Sequence, residues 1–330
     1  MRTVRLFATL AFTCSLLAAT SSDAGFTFGS GANQFEMQFV EIGSPGNAAD
    51  TTGNPSSAGA VSYTYNMGKY AVSRDMITKA NAITKANADG GLKITLSTSS
   101  VFTSANQPAT GVSWFEAARF VNWLNTEQGF QEAYNFDDNG NFQLWSSAEA
   151  WQLDGENLFR HKDAGFWLPS MDEWYKAAYY DPVTGNYFNF PTGSDTAPTP
   201  VAGGTVANTA VIRQFGKAPA DVDQAGGLSP FGVMGMGGNV WEWEETTFDL
   251  LNISIESHRG IRGGSWNNDF NFLMSSSRVS WLPVLEVNFI GFRVASLSSP
   301  AAVVPEPGSL AIWGVMCVSG WCYRKRRLRK

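Results

Sequence analysis

No cysteine occurs between residue 25 and residue 304; the three in the chain, Cys14, Cys317 and Cys322, lie near its two ends. A central stretch of this length can therefore hold neither a disulfide nor a thiolate-bound metal. Its fold has to rest on packing alone. The chain has 12 Trp and 23 Phe, and about 280 residues that rich in large apolar side chains are enough to build one sizeable core. Only two histidines are present, His161 and His258. These shortages constrain chemistry as strongly as they constrain the fold.

The two ends read as removable segments. Arg2 and Arg5 precede an apolar run from Leu6 to Ala19, and small residues follow up to Ala24. This is the pattern of a secretory signal peptide, predicted here over residues 1–24, and it implies export through the inner membrane. At the other end, Val304-Pro305-Glu306-Pro307 leads into a largely apolar stretch of 16 residues, Gly308 to Tyr323, and then six basic residues between Arg324 and Lys330. Sixteen is just short of the roughly 17–25 that span a bilayer, and the basic end should stay cytoplasmic. A transient membrane insertion is the expectation for residues 300–330. Without its ends the chain is strongly acidic: residues 25–304 keep 15 basic against 27 acidic residues, a net charge of −12. Nucleic acid is not an expected partner for such a surface.

Residues 25–299 read as one domain with long loops, strand-like pieces and two helices. Val61-Ser62-Tyr63-Thr64-Tyr65 alternates in polarity like a strand. Two helices have clear starts. Ser113 and Glu116 form a capping box ahead of an apolar stripe at Ala117, Ala118, Phe120, Val121 and Leu124. Ser170 and Glu173 form a second, with Asp181-Pro182 as its stop. From Gly226 to Ala295 the pattern is short strands between glycine turns, over which indole rings should pack. Arg259, Arg262 and Arg293 stand among apolar residues there and need carboxylate or carbonyl partners if buried.

Five pieces in order carry a family resemblance: Val112-Ser113-Trp114-Phe115-Glu116-Ala117, Trp167-Leu168-Pro169-Ser170-Met171-Asp172-Glu173-Trp174, Gly238-Asn239-Val240-Trp241-Glu242-Trp243, Arg262-Gly263-Gly264-Ser265-Trp266 and Ile290-Gly291-Phe292-Arg293. They resemble the sulfatase-modifying-factor family, also called the formylglycine-generating-enzyme domain, and Phe39-Val40-Glu41-Ile42-Gly43 is similar to its N-terminal strand. The resemblance implies a C-type-lectin-like α+β fold. It also implies an oxidoreductase using two cysteines and copper, or, in the ergothioneine branch, iron on three histidines. Asn267–Asn288, where the cysteines would fall, has none, and two histidines cannot make the iron site. Neither copper nor iron is therefore expected, and whether the chain is an enzyme stays open. The family's structural calcium would be held here by the Gly238 and Val240 carbonyls and the Glu242 carboxylate, with Gly235 standing where a further ligand is usual. The C-terminal Pro-Glu-Pro, apolar stretch and basic cluster resemble a PEP-CTERM sorting signal, which implies processing by an exosortase and release to the envelope, surface or medium.

Other features have plainer readings. Asp137-Asp138-Asn139-Gly140-Asn141 starts like a calcium loop, but its twelfth position is Ala148 rather than Glu, so a polar turn is expected. Glu242-Trp243-Glu244-Glu245 is expected to be a solvated acidic edge. Trp114, Trp123, Trp145, Trp151 and Trp167 offer a sugar-stacking surface, although most should lie in the core. The expectation is an exported, non-catalytic binding or structural module. Its concave face, built from the loops after Trp243 and from Asn267–Asn288, would take a glycan, an exopolysaccharide or a protein. The alternative is a non-haem metal-dependent oxidoreductase of the same family.

Overall fold

The computed structural model describes residues 24–85 and 91–297. The predicted tail, and all of the predicted leader except Ala24, lie outside these residues. No helix among them is long and apolar enough to cross a membrane.

Along the chain come β1 (Ala24–Phe28), β2 (Phe35–Ile42), β3 (Tyr65–Gly68), α1 (Arg74–Lys85) and α2 (Trp114–Glu127). Then follow β4 (Asn135–Phe136), β5 (Phe142–Gln143), β6 (Ala150–Trp151), β7 (Asn157–His161), β8 (Phe166–Trp167) and α3 (Met171–Tyr179). The last third holds β9 (Thr199–Pro200), β10 (Thr209–Ala210), β11 (Trp241–Thr247), β12 (Arg259–Arg262), β13 (Val279–Trp281), β14 (Ile290–Gly291) and β15 (Ala295–Leu297). An antiparallel five-stranded sheet in the order β1-β2-β3-β15-β8 brings the two ends of the domain together. A second sheet, β13-β12-β11-β14, carries the glycine- and tryptophan-rich pieces.

Both predicted capping boxes form. The Ser113 amide donates to Glu116 Oε2 (2.9 Å) and the Glu116 amide to Ser113 Oγ (3.3 Å); Ser170 and Glu173 repeat the arrangement at 2.6 and 3.2 Å. The reading of two main helices omitted α1. Its signals were Ser73, whose hydroxyl accepts the Met76 amide, and buried Ile77 and Ala80 at helical spacing. The β-branched Ile77, Thr78, Ile83 and Thr84 masked them, because such residues score poorly in helices. The predicted strand Val61–Tyr65 is a correction of the opposite kind. Only Tyr65 joins β3, because the Val61 and Ser62 amides are taken by the side chains of Asn47 and Asp154.

The two sheets and helices close on an aromatic core. Trp114, Trp167, Trp174 and Trp243 are fully buried, and each indole N–H has an acceptor. Trp114 on α2 donates to the Glu244 carbonyl on β11 (2.9 Å), and Trp243 on β11 donates back to the Val112 carbonyl just before α2 (3.0 Å). This reciprocal pair fixes β11 against α2. Trp123 and Trp151 are also buried and Trp145 is half-buried, so most of these tryptophans belong to the core as expected. Asp137–Asn141 is the turn of the β4–β5 hairpin, with Asp137 Oδ1 accepting the Asn139 and Asn141 amides.

Candidate functional site

All seven residues of β11 are buried, on both faces of the strand. Glu242, Glu244 and Glu245 therefore have no access to water, and an unpaired buried carboxylate would be prohibitive. The solvated acidic edge expected from sequence is thus overturned: each glutamate meets an arginine from a distant segment. Arg293 grips Glu242 through both oxygens, Nε to Oε2 at 2.6 Å and Nη2 to Oε1 at 2.7 Å. Glu244 serves two arginines, Arg262 Nε on Oε1 (2.7 Å) and Arg278 Nε on Oε2 (2.8 Å). Glu245 takes Arg160 Nη2 at 2.6 Å and the Tyr134 hydroxyl at 2.9 Å. Arg160 also pairs with Glu173 on α3, at 3.0 Å from each of its two oxygens.

The charge count within these clusters is uneven, and protonation follows it. Burial raises both carboxyls that share Arg160. For Glu173 the guanidinium outweighs burial and holds it below the ordinary range, whereas Glu245 stays raised. Asp172, next to Glu173 at the start of α3, is pushed up to about 6 by burial. Arg259 is the reverse case. It has no carboxylate partner in the described structure, lies 4.5 Å from the Trp114 ring and 4.4 Å from that of Phe159, and is lowered by burial to about 9.

The proposed calcium ligands fall in the turn before β11. Gly238 has φ +77°, and a Cβ there would meet the Val211 carbonyl oxygen at 2.5 Å, so only glycine fits. Val240 packs with Val211 and Trp266. Glu242 does not fit a cation-ligand role: both its oxygens accept from Arg293, and Oε2 also accepts Trp174 Nε1 at 2.8 Å. A dication there would have to displace a buried guanidinium. The histidines do not converge either. His161 is buried on β7 beside Trp145, and His258 is exposed ahead of β12, its Nδ1 at 3.4 Å from Ser280 Oγ. Among the described residues no three of His, Cys, Asp and Glu are placed to hold a metal. Residues Asn267–Asn288 supply Arg278 to Glu244 instead of a redox pair. The described residues therefore do not fit the donor sets of copper-thiolate or three-histidine iron chemistry.

A cleft of about 650 Å³ is walled by the loop after β11 (Ile255, Glu256) and by Leu282, Pro283 and Val284. Its other wall is the start of α2 (Ser113, Phe115, Arg119) and the β4–β5 hairpin. The volume is that of a small-molecule or short-chain ligand site. Two apolar residues of its wall, Leu282 and Val284, are 42% and 61% accessible. The α2 and hairpin residues were missed from sequence, because nothing local marks two segments that meet only through the fold.

The chain is similar to known proteins over most of the domain. Residues 31–297 match the sulfatase-modifying factor enzyme 1-like domain. Over 149 residues the chain is 30% identical to the hercynine oxygenase of Mycolicibacterium thermoresistibile, covering 40% of this chain and 32% of that protein. Over 151 residues it is 31% identical to the same enzyme of Mycolicibacterium smegmatis, covering 40% and 33%. The chain thus spans about a third of the length of these relatives. In fold it is similar to Treponema denticola variable protein 1 (TM-score 0.57, 19% identity, 84% of this chain and 100% of that one). It is likewise similar to CarF (TM-score 0.55, 18% identity, 80% and 99%). With the five motifs in their places on α2, α3, β11, β12 and β14, the chain belongs to the sulfatase-modifying-factor family.

Proposed function

We propose that the chain is an exported, non-catalytic binding module whose ligand lies in the cleft between α2, the β4–β5 hairpin and the loops at 248–258 and 282–284. One observation carries this reading. The acidic residues of β11 are spent in buried ion pairs, while a cleft with Phe115, Ile255, Leu282 and Val284 in its walls stays open. Calcium enters the reading only through the Gly238 and Val240 carbonyls, because Glu242 is committed to Arg293. Export rests on the leader pattern of residues 1–24, and release by an exosortase on residues 300–330. An envelope or matrix location follows from these two segments.

Two measurements test the proposal. Intact mass of protein from its native host should correspond to a chain ending near Pro307; a species that keeps Arg324–Lys330 contradicts the sorting signal. Protein retained on the host's extracellular polymer should be released by Val284→Asp, an exposed position whose change leaves the core intact. Equal retention of parent and variant contradicts the cleft.

A second reading has one observation in its favour, the 30% identity to hercynine oxygenases. It makes the chain an oxygen-dependent enzyme acting on hercynine or a related thiol acceptor. Formation of a sulfoxide product by the purified chain with iron, oxygen and a thiol would establish it; recovered substrate would remove it.

A further inference from the structure

A second cavity lies on the other side of the 248–258 loop, and its character differs from the cleft. It encloses about 140 Å³ between β6–β7, the start of α3 and that loop. Tyr63 and Trp151, in edge contact at 5.6 Å, form an aromatic wall. The rest of the lining mixes apolar Val61, Leu153 and Leu250 with polar side chains; Arg160 among them is committed to Glu173 and Glu245, but several of the others keep open hydrogen-bonding positions. Asp172 spends Oδ1 on the Gly59 amide (2.6 Å), Asp154 spends Oδ2 on the Ser62 amide (2.9 Å), and the other oxygen of each has no partner among the described residues. Exposed Glu156 has no partner among the described residues either. Spare donors face the same cavity. The Ser170 hydroxyl accepts the Glu173 amide and has its own hydrogen free, and the Asn252 amide donates once, to Asn157 Oδ1 at 3.0 Å.

Open acceptors and open donors on one wall select the ligand class. A metal ion would need several oxygens on one point, and no three acidic or histidine side chains in the described structure are so placed. An organic cation would use the carboxylates and leave the donors idle. A hydroxyl is donor and acceptor at once, and a ring carrying several of them answers every open group around a cavity of this size. We infer that this pocket binds a single sugar ring, with Asp154, Glu156 and Asp172 accepting from its hydroxyls and Ser170 and Asn252 donating to them. The inference rests on reading the chain as a binding module, yet it concerns a site separate from the cleft.

The test is saturation-transfer NMR on the full chain with methyl α-D-glucopyranoside, methyl α-D-mannopyranoside and methyl β-D-galactopyranoside as probes, and tetramethylammonium as the cationic probe. At least one glycoside should bind saturably, with an affinity unchanged by a chelator. Glu156→Gln, an exposed change, and Asp172→Asn, an isosteric one, should each weaken it about tenfold, the equivalent of about one charged hydrogen bond. Val284→Asp in the cleft should leave it unaltered, which keeps the two sites distinguishable. Failure of all three glycosides, binding of tetramethylammonium in their place, or an affinity indifferent to both pocket variants would overturn the assignment.

Discussion

Glu244→Gln probes the buried ion-pair frame around β11. The carboxylate of Glu244 is fully buried and is the acid shared by Arg262 and Arg278, through bonds of 2.7 and 2.8 Å. Glutamine keeps the volume and one acceptor, so one arginine retains a neutral partner and the other faces an amide N–H₂. Losing one charge-assisted bond and weakening another, at about 1.5–3 kcal/mol each, leaves two guanidinium groups with carbonyl partners alone. The expected loss is about 3–5 kcal/mol, the range for breaking a buried ion pair from one side. Urea denaturation at pH 7 measures it. The triple variant Glu244→Leu, Arg262→Met, Arg278→Met removes the charges together and should lose less than the single one, since desolvation disappears with the pairs. A loss below about 1 kcal/mol for Glu244→Gln would mean that Glu244 is solvated, and the buried frame would be refuted.

Gly260→Ala should lose stability on a similar scale to Glu244→Gln, because a Cβ at Gly260 would overlap the Glu244 carboxylate and the Arg278 guanidinium; full stability in urea would contradict the close approach. Trp241→Ala should cost about 3–5 kcal/mol, since the indole is 5% exposed and packs on Phe272 at 5.8 Å. Asp172 titrates near 6 in the folded state against 3.8 for the free side chain. The native state then binds the extra proton, so stability should fall as pH rises from about 4 to 6, by roughly 2–3 kcal/mol at most. Asp172→Asn should remove that slope, and an unchanged slope would place the titration elsewhere. Glu242→Gln should destabilise equally with calcium or with a chelator; a calcium-dependent melting temperature that the variant abolishes would restore Glu242 as a ligand.

Much of the fold was legible where local signals and distant contacts agree. Ser113-Trp114-Phe115-Glu116 and Ser170-Met171-Asp172-Glu173 start helices by bonds within four residues, so their sequences suffice. The need of Arg262 and Arg293 for partners was also legible, because burial of a guanidinium leaves few options. The identity of those partners was not. Glu242, Glu244 and Glu245 read as a solvated edge because closely spaced carboxylates are seldom buried together, even beside aromatic residues. Only the burial of β11 on both faces, set by α2, α3 and the flanking strands, turns them inward. The cleft shows the same division. Its loops at 248–258 and 282–284 fall within the predicted face, whereas Phe115, Arg119 and the β4–β5 hairpin arrive through tertiary packing.

Among the described residues no donor set fits a redox metal, and metal analysis of the native protein checks this. Protein purified from its native host, without chelators, should carry iron and copper at well below one atom per chain. Iron or copper at one atom per chain, lost together with a sulfoxide- or aldehyde-forming activity on chelation and regained on reloading, would contradict the account.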